Sequence, residues 1–102
     1  IYFGNTLSHV LLKTPKVGDF RVQEEHGGTL KSIINPEQSL IHFGNKVINN
    51  LPRVCLYSRV DIVRSKNKFL LMEVELIEPS LYFNMDPKSP KNFVEVFNKW
   101  DA

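Results

Sequence analysis

Hydrophobic and polar positions alternate most regularly in residues 55 to 64, CLYSRVDIVR, and 69 to 77, FLLMEVELI. Leu56, Val60 and Ile62 on the first stretch, and Leu70, Met72, Val74 and Leu76 on the second, are even-numbered and apolar. A period of two puts them on one face of a strand. The polar loop SKNK between the stretches predicts a hairpin. Residues directly opposite each other share a face, so even must pair with even and odd with odd, and the turn centres near Asn67. That register sets Arg59 opposite Glu75 and Asp61 opposite Glu73. The next register of the same parity would change the partners and keep the face. Tyr57, Val63, Phe69, Leu71 and Ile77 share the odd face with the charges, which points to a covered cleft.

Shorter patterns fill the rest of the chain. Ile1 to Phe3 and Ser8 to Lys13 are apolar-rich and flank GNT, so Gly4-Asn5 predicts a turn joining two paired strands. Pro15 and Gly18 then break the pattern. FRVQEE predicts a strand with Phe20 and Val22 on one face and Arg21 and Gln23 on the other, closed by Gly27-Gly28. TLKSII predicts another strand, stopped by Asn35-Pro36. From there Asn35 as N-cap, Pro36 and Glu37 open a helix whose stripe is Leu40, Gly44, Val47, Ile48 and Leu51. Ser89 as N-cap and Pro90 open a second, with Phe93, Val96, Phe97 and Trp100 on one face. The pattern as a whole predicts one α+β domain over residues 1–102: an antiparallel β-sheet with the 36 to 51 and 90 to 101 helices packed on one face.

Composition narrows the function classes. With 102 residues, 42% of them hydrophobic, the chain has material for one modest core. A net charge of +2 without any basic run argues against a nucleic-acid partner. Its apolar runs are too short for a membrane-spanning helix, so no membrane partner is expected, and with no leader in view the expected setting is cytoplasmic. The single cysteine, Cys55, allows no internal disulfide and reads as a small buried residue at a strand start. Three scattered histidines at no recognisable spacing suggest neither a triad nor a zinc site. The strand-like opening IYFGN suggests a piece of a longer polypeptide.

The chemistry concentrates on the odd face of the hairpin. Carboxylates directly opposite each other repel by about 1 kcal/mol in water and about 4 kcal/mol where partly shielded from it. Arg59 offsets one charge, and a hard divalent cation bound with substrate phosphates would offset the rest. The bland alternative is a solvated face where the acids and Arg59 meet water. On that alternative the chain is a small non-catalytic module whose acidic face binds cations weakly or recognises a basic partner.

RVDIV, eleven residues, then EVE resembles the carboxy-terminal part of ATP-grasp ligases, in which an Asp on one strand is followed by Glu-x-Asn or Glu-x-Glu on the next. SHVLLKTPKVGDFRVQEEHGG is similar to the prokaryotic glutathione synthetase-like branch, and the likeness runs over nearly the whole chain. The resemblance implies the C-terminal subdomain of an ATP-grasp fold, with ATP and one or two Mg2+ ions as cofactors and Mn2+ as a substitute. It implies Asp61, Glu73 and Glu75 as metal ligands, Glu75 standing where Asn is commoner. Arg59, in SRVD, matches an arginine near the transferred phosphoryl group. Arg21, in GDFR, matches one that contacts the acyl phosphate or the substrate carboxylate. Lys13, in LLKTP, falls at the rim of the same site, where arginine is more usual, and Gly27 and Gly28 match a glycine pair in a loop over the acceptor. The implied reaction activates a carboxylate as an acyl phosphate for attack by an amine. Its partners would be small-molecule carboxylate and amine substrates and the upstream subdomains of the same polypeptide. The isolated chain is then expected to be inactive and prone to self-association through its uncovered face.

Overall fold

The computed structural model describes residues 1–15 and 28–100. The expected FRVQEE strand, with Arg21, and the first glycine of the Gly27-Gly28 pair lie outside the described residues. Among the described residues six strands and two helices follow one another: β1 (Tyr2–Phe3), β2 (Thr6–Leu7), β3 (Val10–Thr14), β4 (Thr29–Ile33), α1 (Gln38–Asn49), β5 (Tyr57–Ser65), β6 (Lys68–Glu75) and α2 (Ser89–Asn98). A 3-10 turn, Phe83–Met85, precedes α2. The strands form two antiparallel sheets, one of order β2-β1-β5-β6 and a ribbon of β3 with β4. The domain is therefore α+β, with two sheets where one was expected. Among the described residues no helix is long and apolar enough to cross a membrane.

Gly4 takes the left-handed conformation, with φ at 60°, and turns β1 into β2. The Ser8 to Lys13 segment does not pair with β1 as its apolar pattern suggested. It forms β3, with Val10 opposite Ile33 and Thr14 opposite Thr29. Alternation cannot name a strand's partner, and here the partner, β4, is not the neighbouring strand β1 but one further along the chain.

β1 is the centre of the packing although it is only two residues long. Tyr2 and Phe3 are 3% and 1% exposed, and as neighbours in a strand they point to opposite faces. The Tyr2 hydroxyl donates to Asn45 Oδ1 of α1 at 2.8 Å. Phe3 meets the Phe93 ring of α2 edge-on at 5.1 Å and stacks on Phe83 at 5.8 Å. The two helices therefore cover opposite faces of the sheet, which corrects the expectation that they share one. That packing needs both residues of β1 to be large and apolar, whereas a strand covered on one side alternates.

The helix starts are displaced from their sequence signals, α1 later and α2 one residue earlier. α1 begins at Gln38 with Glu37 in the N-cap position and no side-chain cap, so Asn35 and Pro36 lie before it. Ser89 is the first residue of α2 rather than its cap. It is fully buried, and its hydroxyl donates to the carbonyl of Asp86 at 2.7 Å, closing the turn that leads into the helix. Gly44 and Ile48 are the buried positions of α1, as the stripe requires.

The β5–β6 register is the predicted one where the charges lie: Arg59 opposite Glu75, Val60 opposite Val74, Asp61 opposite Glu73. Beyond Asp61 it slips, and Ile62 pairs with Leu71, leaving Met72 as the extra residue of a bulge. The turn supplies the reason. Ser65 pairs with Lys68, so the connection is two residues long, and Lys66 and Asn67 have φ of 49° and 65°, the left-handed values of a tight hairpin turn. A two-residue turn centred between Lys66 and Asn67 would place odd positions opposite even ones along the whole ladder, and the bulge restores the parity. Phe69 and Leu71 consequently leave the charged face for that of Arg64 and Ile62, and Phe69 packs against Phe43 of α1 at 6.0 Å. Leu70 takes their place beside Val63. The face of Ile62 is also less covered than its composition suggested, because Leu71 and Met72 are exposed. Cys55, ahead of β5, is half-buried and free.

A Cβ built on Gly44 would lie 2.6 Å from the Tyr2 hydroxyl, too close for that buried ring to stay in place. Gly44→Ala should lower stability by about 1–2 kcal/mol in denaturant unfolding, despite alanine's better helix propensity. Tyr2→Phe should cost about 1 kcal/mol for the lost hydrogen bond. The double variant should be less damaged than the two single losses together, since removing the hydroxyl opens the space.

Candidate functional site

Arg59 is the third residue of β5, opposite Glu75 of β6 and on the face of the sheet that α2 partly covers. Its guanidinium grips Asp61, two residues on and on the same face, with both prongs: Nε to Oδ1 at 2.9 Å and Nη2 to Oδ2 at 3.1 Å. Across the ladder the same Nη2 lies 2.8 Å from Glu75 Oε2 and 3.9 Å from Glu73 Oε2. One fork thus meets all three predicted carboxylates, and direct cross-strand pairing puts them within its reach. Lys13 of β3 adds a second cation, its Nζ 3.4 Å from Asp61 Oδ2, and so ties the two-stranded ribbon to the main sheet.

Burial sorts these charges. The Arg59 and Asp61 side chains are 12% and 16% exposed, whereas Glu75 is 35% and Glu73 51% exposed. Burial alone would lower the Arg59 pKa, but the hydrogen bonds and charge of Asp61, with Glu75 behind them, outweigh it and hold the guanidinium above its ordinary value. Arg59 stays charged at any working pH.

Tyr82 closes the site from the other side. Lys13 Nζ lies 5.4 Å and Arg59 Cζ 6.0 Å from the centre of its ring, so the aromatic face meets both cations. Its backbone is left-handed, with φ at 53° and ψ at 44°, an uncommon conformation for a bulky residue. Neighbouring groups hold it there. The carbonyl of Leu81 accepts a hydrogen bond from His9 Nε2 at 2.8 Å, so Nδ1 of the neutral ring is the acceptor that faces Ser8 Oγ at 2.8 Å. Ser32 Oγ donates to the Met85 carbonyl, and Phe83 lies in the aromatic cluster of Phe3 and Phe93. Sequence patterning missed Tyr82 and His9. Neither lies at a spacing that marks a site, and only the path of the chain after β6 brings Tyr82 over Arg59.

Beside these charges a cavity of about 400 Å³ opens between β3, α1 and β5. Lys13, Arg59, Asp61 and Tyr82 line its polar end, and Leu7, Val10, Ile41 and Ile62 are among its apolar walls. Gly28 immediately precedes β4, the partner strand of the one that carries Lys13. Arg21 and Gly27 lie outside the described residues.

No family model matches this chain, and neither a curated protein nor a solved structure does. The site's own chemistry has to carry the reading.

The donor set of Asp61, Glu73 and Glu75 is all oxygen, as a hard divalent cation requires. Their present spacing is not that of a metal site: among the described residues no three acids, histidines or cysteines are gathered closely enough to hold an ion. Arg59 reaches all three, so it is the group whose movement would let them converge. The arrangement can hold an anion through Lys13 and Arg59 once the carboxylates release the guanidinium.

His9 is 8% exposed, and its pKa is lowered, chiefly by burial, partly offset by the hydrogen bond to the Leu81 carbonyl. The unfolded chain therefore takes up this proton before the folded one does. The His9 contribution to stability is complete above pH 6.5, the unshifted value, and is lost as pH falls below it. Unfolding free energies measured across this range should show the decline in the wild type and a flatter profile in His9→Gln.

Proposed function

We propose that this chain is the C-terminal subdomain of an ATP-grasp carboxylate-amine ligase similar to prokaryotic glutathione synthetases. The observation that carries the reading is the shared guanidinium. Arg59, Asp61, Glu73 and Glu75, picked out by the RVDIV and EVE motifs, meet on one face, with Lys13 of the KTP motif beside them. Three carboxylates and two cations without a nucleophile suit a phosphoryl transfer that asks mainly for positioning and charge neutralisation.

In this reading the substrate carboxylate attacks the γ-phosphorus of ATP, ADP leaves, and an acyl phosphate results. The amine then attacks the acyl carbon, inorganic phosphate departs, and the amide forms as the nitrogen loses its proton. Magnesium, when bound, supplies neutralisation of the nucleotide phosphates, and Asp61, Glu73 and Glu75 are the residues that would hold it. Arg59 and Lys13 hold the transferred phosphoryl oxygens, where charge develops. Arg21 holds the substrate carboxylate or acyl phosphate, a task that suits its fork. Gly27 and Gly28, without side chains, let the acceptor come close to the backbone. Residues that grip adenine belong to the upstream subdomain of the same polypeptide, and the chemistry runs in the cytoplasm.

The ion pairs at Arg59 add one feature to this reading. The guanidinium cannot serve the phosphate and all three carboxylates at once. Anion binding and cation binding are therefore linked: a triphosphate that takes Arg59 leaves the acids short of positive charge and raises their affinity for a metal ion.

A manganese titration of the isotopically labelled chain by NMR tests this directly. Without nucleotide, broadening should be weak. With ATP present it should concentrate on residues 59 to 61 and 73 to 75 and be relieved by excess magnesium. Broadening spread over all surface acids, alike with and without ATP, would favour the non-catalytic module with a weakly cation-binding face.

A further inference from the structure

The outer half of the β5–β6 hairpin carries apolar side chains in solvent. Leu70, Leu71 and Met72 are 49%, 47% and 70% exposed, and Val63, opposite Leu70, is 45% exposed. β6 ends its sheet, so among the described residues its outer edge has no strand partner. Leu70 and Leu71 are neighbours and point to opposite faces, so apolar surface lies on both sides of one unpaired edge. Such an edge is a template for another strand.

The turn determines which backbone groups that edge offers. In a two-residue hairpin loop the flanking residues, here Ser65 and Lys68, exchange both backbone hydrogen bonds, and bonded and unbonded pairs alternate from there. Arg64 with Phe69 is then an unbonded pair, Val63 with Leu70 a bonded one, and Ile62 with Leu71 unbonded again. The N–H and C=O groups of Phe69 and Leu71 therefore point away from β5.

We propose that the occupant of this edge is β6 of a second copy of the chain, paired antiparallel about a two-fold axis through Leu70. Phe69 of each copy then exchanges both hydrogen bonds with Leu71 of the other. Leu70 meets its own counterpart in the closer, unbonded kind of pair. The bulge at Met72 sets Lys68 of each copy opposite Glu73 of the other on one face, giving two cross-strand ion pairs. Charge selects this axis among its neighbours. An axis through Phe69 would set Lys68 against Leu70, and one through Leu71 would set Leu70 against Glu73. Two four-stranded sheets become one continuous sheet, in an isologous interface that closes on itself. Neither nucleotide nor metal is needed, so this inference stands apart from the ligase reading.

Sedimentation equilibrium from micromolar to millimolar chain tests it, with circular dichroism to show that each variant is folded. The wild type should move from monomer to twice the monomer mass. Leu70→Arg and Lys68→Glu should each weaken association by roughly tenfold or more, and Lys68→Glu with Glu73→Lys should restore it. In a Cys55→Ser background, Leu70→Cys should form a disulfide-linked dimer under mild oxidation, as the close unbonded pair allows. A chain that stays monomeric at millimolar concentration, or a dimer indifferent to both Leu70→Arg and Lys68→Glu, would overturn the proposal.

Discussion

A guanidinium shared among carboxylates fixes more of this molecule than its size suggests. Arg59 holds Asp61 by two hydrogen bonds and reaches Glu75 across the ladder, so the register of β5 on β6 and the ionic network specify each other. Slipping the strands would leave a largely buried Asp61 beside an Arg59 that had lost its cross-strand partner, and breaking up such a network costs about 3–5 kcal/mol when it is fully buried. Lys13 extends the constraint to the second sheet through the same aspartate. The charges thus serve as the joint between the two sheets as well as the candidate chemistry.

The joint lies where the hydrophobic core is thin. Tyr2, Phe3 and Ile48 are the buried hydrophobic residues among those described, and Tyr2 and Phe3 serve opposite faces of the same short strand. Each helix therefore has its own small cluster: α1 with Tyr2 and Phe69, α2 with Phe3 and Phe83. The α2 cluster also positions the segment that lays Tyr82 over Lys13 and Arg59. Packing and electrostatics meet at that residue, and its left-handed backbone is held by hydrogen bonds from residues distant in sequence.

Local alternation made the hairpin and the convergence of Arg59, Asp61, Glu73 and Glu75 legible, because facing and parity are short-range properties of a strand pair. It could not show the slip at Met72, which arises when a two-residue turn meets a ladder of fixed parity. Nor could it show that Val10–Thr14 turns to β4 rather than to β1, since partner choice is set by tertiary packing. The Asn35-Pro36 and Ser89-Pro90 signals mark breaks in the chain, yet neither Asn35 nor Ser89 caps its helix: Ser89 is the first residue of α2, its hydroxyl turned inward to the Asp86 carbonyl, a bond that only the preceding turn makes available. Tyr82 was invisible because it owes its role to a three-dimensional crossing and not to any period.

The proposed function requires Arg59 to be exchanged between the carboxylates and a phosphate anion. NMR of the Arg59 Nε–H group and of the Asp61, Glu73 and Glu75 carboxyl carbons, followed as ATP and magnesium are added together, tests it most directly. The guanidinium and carboxyl signals should shift in one transition with a common midpoint, and Arg59→Lys should blunt it. Carboxyl signals that respond to magnesium while Arg59 stays bound to Asp61, or an Arg59 signal indifferent to ATP, would contradict it.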